Sequence, residues 1–184
     1  MNRDNQQDTP TEGEIAWLAG VIECDGSVML SAHMRKEEPE KVPKIGVEIK
    51  LYNTDGGIIA QAITILDKLN VGYYLVERPQ KSLKMDNGKT YGDLTKPMLS
   101  VIVKKMTDTL RLATILEPWM FGEKRHRLRV MINFLISRYN RTGFKSGTKI
   151  GYSTDELRCV TGFYRDFVKN PSANKALVEG LLRD

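Results

Sequence analysis

The run Leu18-Ala19-Gly20-Val21-Ile22-Glu23-Cys24-Asp25-Gly26 constrains this chain more than any other, because it carries a helix apolar on two sides straight into an acidic residue and a glycine. Ile15, Leu18, Ala19 and Ile22 repeat at i, i+3, i+4, i+7, and Trp17, Gly20, Val21 and Cys24 form a second stripe on the opposite side. A helix with two apolar faces is buried on both. Ala19 and Gly20 are small enough to let another backbone approach closely, which gives a glycine reason to sit inside a helix at a cost of roughly 1 kcal/mol. Thr11 and Glu14 make a capping box after Pro10, so the helix should start near residue 12. Asp25 then stands where the helix stops, and Gly26 turns the chain.

The pattern changes period after the turn. Val28, Leu30, Ala32 and Met34 alternate with Ser31, His33 and Arg35, a half-buried strand. A charged, Pro-containing turn over Lys36 to Lys44 leads to Val47, Ile49 and Leu51, which face inward while Glu48, Lys50 and Tyr52 face out. Together they read as an antiparallel hairpin. Ile59, Ala62, Ile63 and Leu66 return to helical spacing, and this helix should close around Asn70 to Gly72. Tyr73 to Arg78 and Lys96 to Lys104 form a second strand pair, with Asp86-Asn87-Gly88 as a turn between them, and with Leu99, Val101 and Val103 opposite Lys96, Met98 and Ser100. Thr107 can cap a helix to Glu117, Pro118 breaks it, and Leu128, Met131, Ile132 and Leu135 mark the next. The order is α-β-β-α-β-β-α.

The nonapeptide resembles the LAGLIDADG motif of homing endonucleases at Leu18, Ala19, Gly20, Ile22, Asp25 and Gly26, and departs from it at Val21, Glu23 and Cys24. The element order resembles the same family from about Thr11 to about Tyr139. The fold this implies is α+β: a four-stranded antiparallel, saddle-like sheet with helices on one face, plus C-terminal helices. Three parts are expected, a flexible polar N-terminus over 1–10, an endonuclease core over 11–139, and a basic loop with a C-terminal helical extension over 140–184. Within the last part Ser153 and Glu156 cap a helix whose stripe is Leu157, Val160, Tyr164, Phe167 and Val168, and a short final helix covers Asn174 to Leu182.

What the family does then becomes the expectation: a site-specific DNA endonuclease that cuts both strands with divalent metal and promotes mobility of its host intron. Cutting a phosphodiester needs a nucleophilic water and stabilised charge on the leaving oxygen, and carboxylate-held metals supply both. The resemblance makes Asp25 the metal ligand, assisted by the carbonyl of Cys24, with Mg²⁺ the expected ion and Mn²⁺ or Ca²⁺ able to take its place. Mg²⁺ is commonly held by one or two carboxylates with substrate phosphates and water. With a single motif per chain, the second Asp25 must come from a second chain, so a homodimer is expected, with Trp17, Leu18, Gly20 and Val21 at its interface. Glu23 meets either water or the dimer partner. Asn53 matches a family position that orients water near the metals, and serves equally as a turn residue in Asn53-Thr54-Asp55-Gly56. Lys124 is the best match to a basic residue that organises the scissile phosphate, beside Arg125 and Arg127. Some relatives carry Arg one turn after the water-orienting residue, where this chain has Gly57.

The free sheet face is the expected reader of double-stranded DNA, since antiparallel strands fit the major groove. Ser31, His33, Arg35, Glu48, Lys50, Tyr52, Glu77, Lys96 and Met98 are assigned there, and Lys44, Arg141, Lys145 and Lys149 to phosphates, which orient rather than specify. A two-fold dimer should prefer a nearly palindromic site of roughly two duplex turns. Lys plus Arg exceed Asp plus Glu by 28 to 23, a net charge of +5 that favours a polyanionic partner. Host intron RNA is the alternative partner, as for a maturase, and a non-cleaving DNA-binding regulator is the other alternative. A Ser or Cys nucleophile enzyme is poorly supported, because His33 and His126 have no obvious acid partner. Cys24 and Cys159 lack metal-ligand spacing and read as reduced thiols. Met1 to Asp8 are polar and no run of about 18 apolar residues occurs, so an intracellular setting is expected, a prokaryotic cytoplasm or an organelle.

Overall fold

The capping box predicted at Thr11 is formed: Thr11 Oγ1 accepts from the Glu14 amide at 3.2 Å while the Thr11 amide donates to Glu14 Oε2 at 2.8 Å. From it α1 runs over Glu12–Asp25. The computed structural model describes residues 9–33, 44–79, 83–84, 90–91, 96–145 and 151–168, with Gly180. Along them follow β1 (Gly26–His33), β2 (Lys44–Asn53), α2 (Gly56–Lys68), β3 (Tyr74–Arg78), β4 (Leu83–Lys84), β5 (Thr90–Tyr91), β6 (Met98–Val103), α3 (Met106–Leu116), a 3-10 turn (Glu117–Trp119), α4 (Gly122–Thr142) and α5 (Thr154–Phe167).

One antiparallel sheet has the order β1-β2-β6-β3, so β2 and β6 are central and β1 and β3 are edges. The alternation read from sequence is what buries one face. Val28, Leu30 and Ala32 pair with Ile49, Val47 and Ile45, and Ile49 and Leu51 pair in turn with Val103 and Val101. All nine are at most 3% exposed. Leu18, Ala19 and Ile22 of α1, Ile59 and Ala62 of α2, Leu112 of α3, and Leu128, Met131 and Leu135 of α4 complete the core on that face. The helices therefore cover one side of the sheet, and among the described residues the other side is open.

Several details differ from the sequence reading. Lys105, not Thr107, precedes α3, and no side chain caps it; the Thr107 hydroxyl lies inside the first turn and donates to Asp108 Oδ1. Helix α4 continues through Asn140, Arg141 and Thr142, where a loop was expected, and ends at Gly143 in the left-handed region (φ 58°), a conformation glycine adopts without a Cβ penalty. Phe163 is fully buried in α5 although the expected stripe omitted it. Cys24 is exposed rather than buried. The Lys36 turn up to Lys44, the Asp86-Asn87-Gly88 turn and the final helix at Asn174 to Leu182 lie outside the described residues, apart from Lys44 and Gly180. No helix among the described residues is long and apolar enough to cross a membrane.

Candidate active site and nucleic-acid interface

Helix α1 ends and β1 begins with no loop between them, because Gly26 fits where no other residue does. A Cβ there would stand 2.7 Å from the carbonyl oxygens of both Ile22 and Lys50 and 2.9 Å from Ile22 Cα, all of them backbone. This close approach delivers Asp25, exposed, to the corner between α1 and the sheet. At that corner Asn53, the last residue of β2, donates Nδ2–H to Asp25 Oδ2 at 3.0 Å. Asn53 Oδ1 accepts from the Asp55 amide at 2.8 Å, and Asp55 Oδ1 accepts from the Gly57 and Ile58 amides, capping α2. An acceptor-only carboxylate on one side and a donor-only amide on the other fix which way the Asn53 amide points. The turn role open to Asn53 is realised through Oδ1, while Nδ2 of the same side chain meets Asp25.

Lys124 reaches the same corner from the first turn of α4. Its ammonium donates to the carbonyls of Ile22, at 2.9 Å, and Glu23. A cation there meets the negative end of the helix dipole, and the Ile22 carbonyl accepts from the Gly26 amide as well. Its neighbours point elsewhere. Arg125 and Arg129 donate to Glu117 Oε1 at 2.8 and 2.7 Å, and these bonds, Arg125 first, hold the Glu117 carboxyl below its usual range. Arg127 turns to the sheet edge, donating to the Val28 carbonyl at 3.3 Å and the Phe167 carbonyl at 3.0 Å.

The donor set at the corner suits a hard divalent cation: a carboxylate oriented by an amide, and the backbone carbonyl of Cys24 in the last turn of α1. Among the described residues no group of three or more His, Cys, Asp or Glu side chains gathers to hold a metal. Mg²⁺ keeps several waters and can be held by one or two carboxylates with substrate phosphates, so a larger cluster is not required. Glu23 Oε2 lies buried here with no hydrogen-bond partner.

Among the described residues nothing covers the outer side of α1. Gly20 and Cys24 are exposed, Trp17 and Val21 are half-buried, and nothing lies within 4 Å of where a Cβ on Gly20 would stand. Leu18, expected at that surface, is 1% exposed and belongs to the core, because it falls on the Ile15-Ile22 stripe that faces the sheet.

The open sheet face carries most of the expected polar residues. Residues directly opposite in an antiparallel pair share a face, so Ser27 with Lys50, Met29 with Glu48, and His33 with Lys44 lie there in rows, as does Tyr52 with Ser100. Glu48 and Lys50 are ion-paired, Ser31 Oγ lies 2.8 Å from His33 Nε2, and Ser27 Oγ lies 3.4 Å from the Tyr52 hydroxyl. Ser100 is 3% exposed at the centre of this face. Lys96 is exposed just before β6, and Met98 pairs with Arg78.

That pairing corrects one assignment and adds two. Glu77 lies opposite Leu99, which shares the helix-covered face with Val101, so Glu77 is on the wrong side of the sheet to join the open face. Arg78 and Tyr74 take the places on it instead, Tyr74 with the Lys104 ammonium 4.0 Å from its ring centre. The alternation of β3 offered no signal, since Tyr74 and Leu75 are 53% and 55% exposed and neither side reads as core. Arg141 is exposed, and its guanidinium donates to Glu156 Oε2 at 2.8 Å, a carboxylate with no exposed surface. Lys145 is exposed at the end of α4, and Arg35 and Lys149 lie outside the described residues.

No protein-family model matches the sequence, and no curated protein matches it. Among solved structures the chain is similar to the homing endonuclease I-CvuI in complex with the I-CreI target, at 17% identity and a TM-score of 0.54, with 94% of this chain and 96% of that one covered. It is similar to I-CeuI, a group I intron-encoded homing endonuclease complexed with DNA, at 12% identity and a TM-score of 0.62, covering 94% and 76%. For the I-LtrWI LAGLIDADG homing endonuclease bound to target DNA the values are 10% and 0.60, covering 92% of this chain and 50% of that one. These likenesses show the fold. With its α-β-β-α-β-β-α core, its open antiparallel sheet and a first helix ending in Asp25-Gly26, the chain has the fold of the LAGLIDADG homing endonucleases.

Proposed function

We propose that this chain is a site-specific, metal-dependent DNA endonuclease that works as a homodimer on a long, nearly palindromic duplex, cuts both strands, and serves the mobility of an intron that carries its gene. The observation that carries this reading is the placement of Asp25, held by Asn53, at the end of the β1-β2 hairpin from which the open polar face extends. Reaction and recognition then share one rigid corner. I-CvuI and I-CeuI, which share this fold, are in complex with DNA in their structures, which supports a DNA partner here.

Asp25 and the Cys24 carbonyl would hold the ion, with Mg²⁺ favoured by their hard oxygen donors. When bound, it supplies charge neutralisation at the phosphate and a more acidic water. The chain's own residues do the rest. Asn53 sets the carboxylate in place through Oδ2, Gly26 fixes the distance between helix and sheet, and Lys124 pins the last turn of α1 by its carbonyls.

The homodimer follows from one motif per chain and from the uncovered side of α1, where Trp17, Gly20, Val21 and Cys24 offer an apolar, small-residue surface. Two chains bring two copies of Asp25. In each, β1 carries its open face away from the corner by seven residues, roughly 23 Å at the rise of a strand. Lys44, Lys50 and Arg78 outnumber Glu48 among the charges on that face, as a duplex requires.

The test is cleavage of a randomised duplex library in Mg²⁺, with break ends sequenced, for the protein and for Asp25→Asn. Recurrent cuts at one long, nearly palindromic site, absent in the variant, are expected. Sequence-specific binding without cuts would move the assignment to a DNA-binding regulator, and tight binding to structured RNA alone to a maturase.

A further inference from the structure

The far end of the β1-β2 hairpin has an unusual support. Strand β6 pairs with β2 from Ile49 to Asn53, so from Val47 back to Lys44 the hairpin is, among the described residues, a two-stranded ribbon. Such ribbons twist freely and are marginal alone. Ala32 and Ile45 face each other at that end. Their amides do not bond each other: Ala32 N–H donates to the Tyr164 hydroxyl at 3.0 Å, and Ile45 N–H donates to the Tyr152 hydroxyl at 3.0 Å. Opposed residues of an antiparallel pair either exchange both bonds or neither, so these two amides leave the ribbon on opposite edges. The ribbon is clasped between two tyrosines.

Each tyrosine is itself fixed. Tyr164, in α5, is 6% exposed within the core. The Tyr152 ring lies under the Arg138 guanidinium, 4.6 Å from its centre, and 6.3 Å from the Phe134 ring. Arg138 also donates to the Gly151 carbonyl at 2.9 Å and shares the buried Glu156 with Arg141. The next positions along both strands are Ser31, His33 and Lys44 of the open face, about five to seven base pairs from the corner at 3.4 Å per pair.

We propose that Tyr152 and Tyr164 are positioning residues for recognition: their hydroxyls set the far end of the hairpin, so that Ser31, His33 and Lys44 meet the outer base pairs of the site in one fixed pose. This rests on the DNA-endonuclease reading above. The C-terminal segment then governs specificity at positions it never touches.

The experiment uses the full chain with Tyr152→Phe and, separately, Tyr164→Phe, which keep the rings and remove the hydroxyls. Amide exchange at the orphaned Ile45 or Ala32 should quicken about fivefold, as losing one hydrogen bond of typical net strength allows, with Ile49 and Leu51 unchanged as the control for global folding. Selection from a randomised duplex library should then show base preference weakened at the outer positions alone, with the central preference and the cleavage rate on saturating cognate duplex retained. Faster exchange with outer preference intact would overturn the proposal and leave the hydroxyls as partners of buried amides only. Preference lost evenly across the site would overturn it as well. If the unmodified protein selects no duplex, the endonuclease reading fails and the recognition role with it, while the exchange rates still report whether the hydroxyls brace the ribbon.

Discussion

Asn53 and Asp25, 28 residues apart, meet at 3.0 Å, and the same Asn53 side chain closes the turn that starts α2. The carboxylate at the end of α1 is therefore oriented by the last residue of β2. Removing the amide leaves Asp25 present but unaimed. Asn53→Ala should lower cleavage about 10- to 100-fold, the usual effect of losing the partner that orients a metal ligand. Duplex affinity measured in Ca²⁺ should stay within a fewfold of the original. An equal loss of binding would place Asn53 in DNA contact instead.

Gly20 tests the proposed homodimer against the isolated chain. Within one chain nothing lies within 4 Å of the space a Cβ there would occupy, so Gly20→Ala should raise the stability of the monomer by roughly 0.5–1 kcal/mol through helix propensity. Gly20→Leu adds bulk on the same open side. Sedimentation should show it monomeric at concentrations where the original is dimeric, with cleavage lost in parallel. A dimer that survives Gly20→Leu would put the interface elsewhere.

What could be read beforehand follows the range of the interactions. The capping box at Thr11 and Glu14 and the alternations at Val28-Leu30-Ala32 and Val47-Ile49-Leu51 are local patterns against one buried face, and all are realised. Glu77 could not be placed, because the face of a short, two-sidedly exposed edge strand is decided by its pairing with Leu99. The bond from Arg141 to Glu156 depends on α5 folding back onto α4, which no local pattern announced. Tyr152 and Tyr164 act on amides 107 and 132 residues away, which no local pattern encodes.

Arg141 should accordingly behave as a structural cation. Arg141→Ala takes one of two guanidinium partners from the fully buried Glu156, while Arg138 stays at 3.4 Å. The cost should fall below the roughly 3–5 kcal/mol of stranding a buried charge outright. Thermal melting should register it. The salt dependence of duplex binding should keep its slope, whereas loss of a phosphate contact would reduce that slope by about one.

Acid should loosen the contact between α1 and α2. Lys68 donates to Glu14 Oε1 at 2.7 Å, and this bond, ahead of the Thr11 amide, holds the Glu14 carboxyl below its usual range. A carboxyl lowered on folding contributes stability above its unfolded value, about 4.3, and that contribution is lost as pH falls through the lower folded value. Glu14→Gln should melt earlier than the original near pH 7, and the difference should shrink below about pH 4. A gap that stays constant down to pH 3 would show that the capping bonds, not the charge, carry the effect.

Gly26 joins stability to chemistry most directly. A Cβ at this position meets two carbonyl oxygens at 2.7 Å, and since both belong to the backbone, neither can swing aside as a side chain would. Gly26→Ala must therefore push α1 away from β2, at a cost of roughly 1–3 kcal/mol typical of overpacking. The same displacement carries Asp25 away from Asn53. Cleavage should fall well beyond the fraction unfolded, measured at a temperature where melting shows the variant still native. Gly13→Ala is the control, its Cβ coming no nearer than 3.9 Å to Thr11 Oγ1, and it should cut normally. If Gly26→Ala melts early yet cuts at full rate while folded, the helix-to-sheet distance does not set the reacting geometry, and Asp25 is held by Asn53 alone.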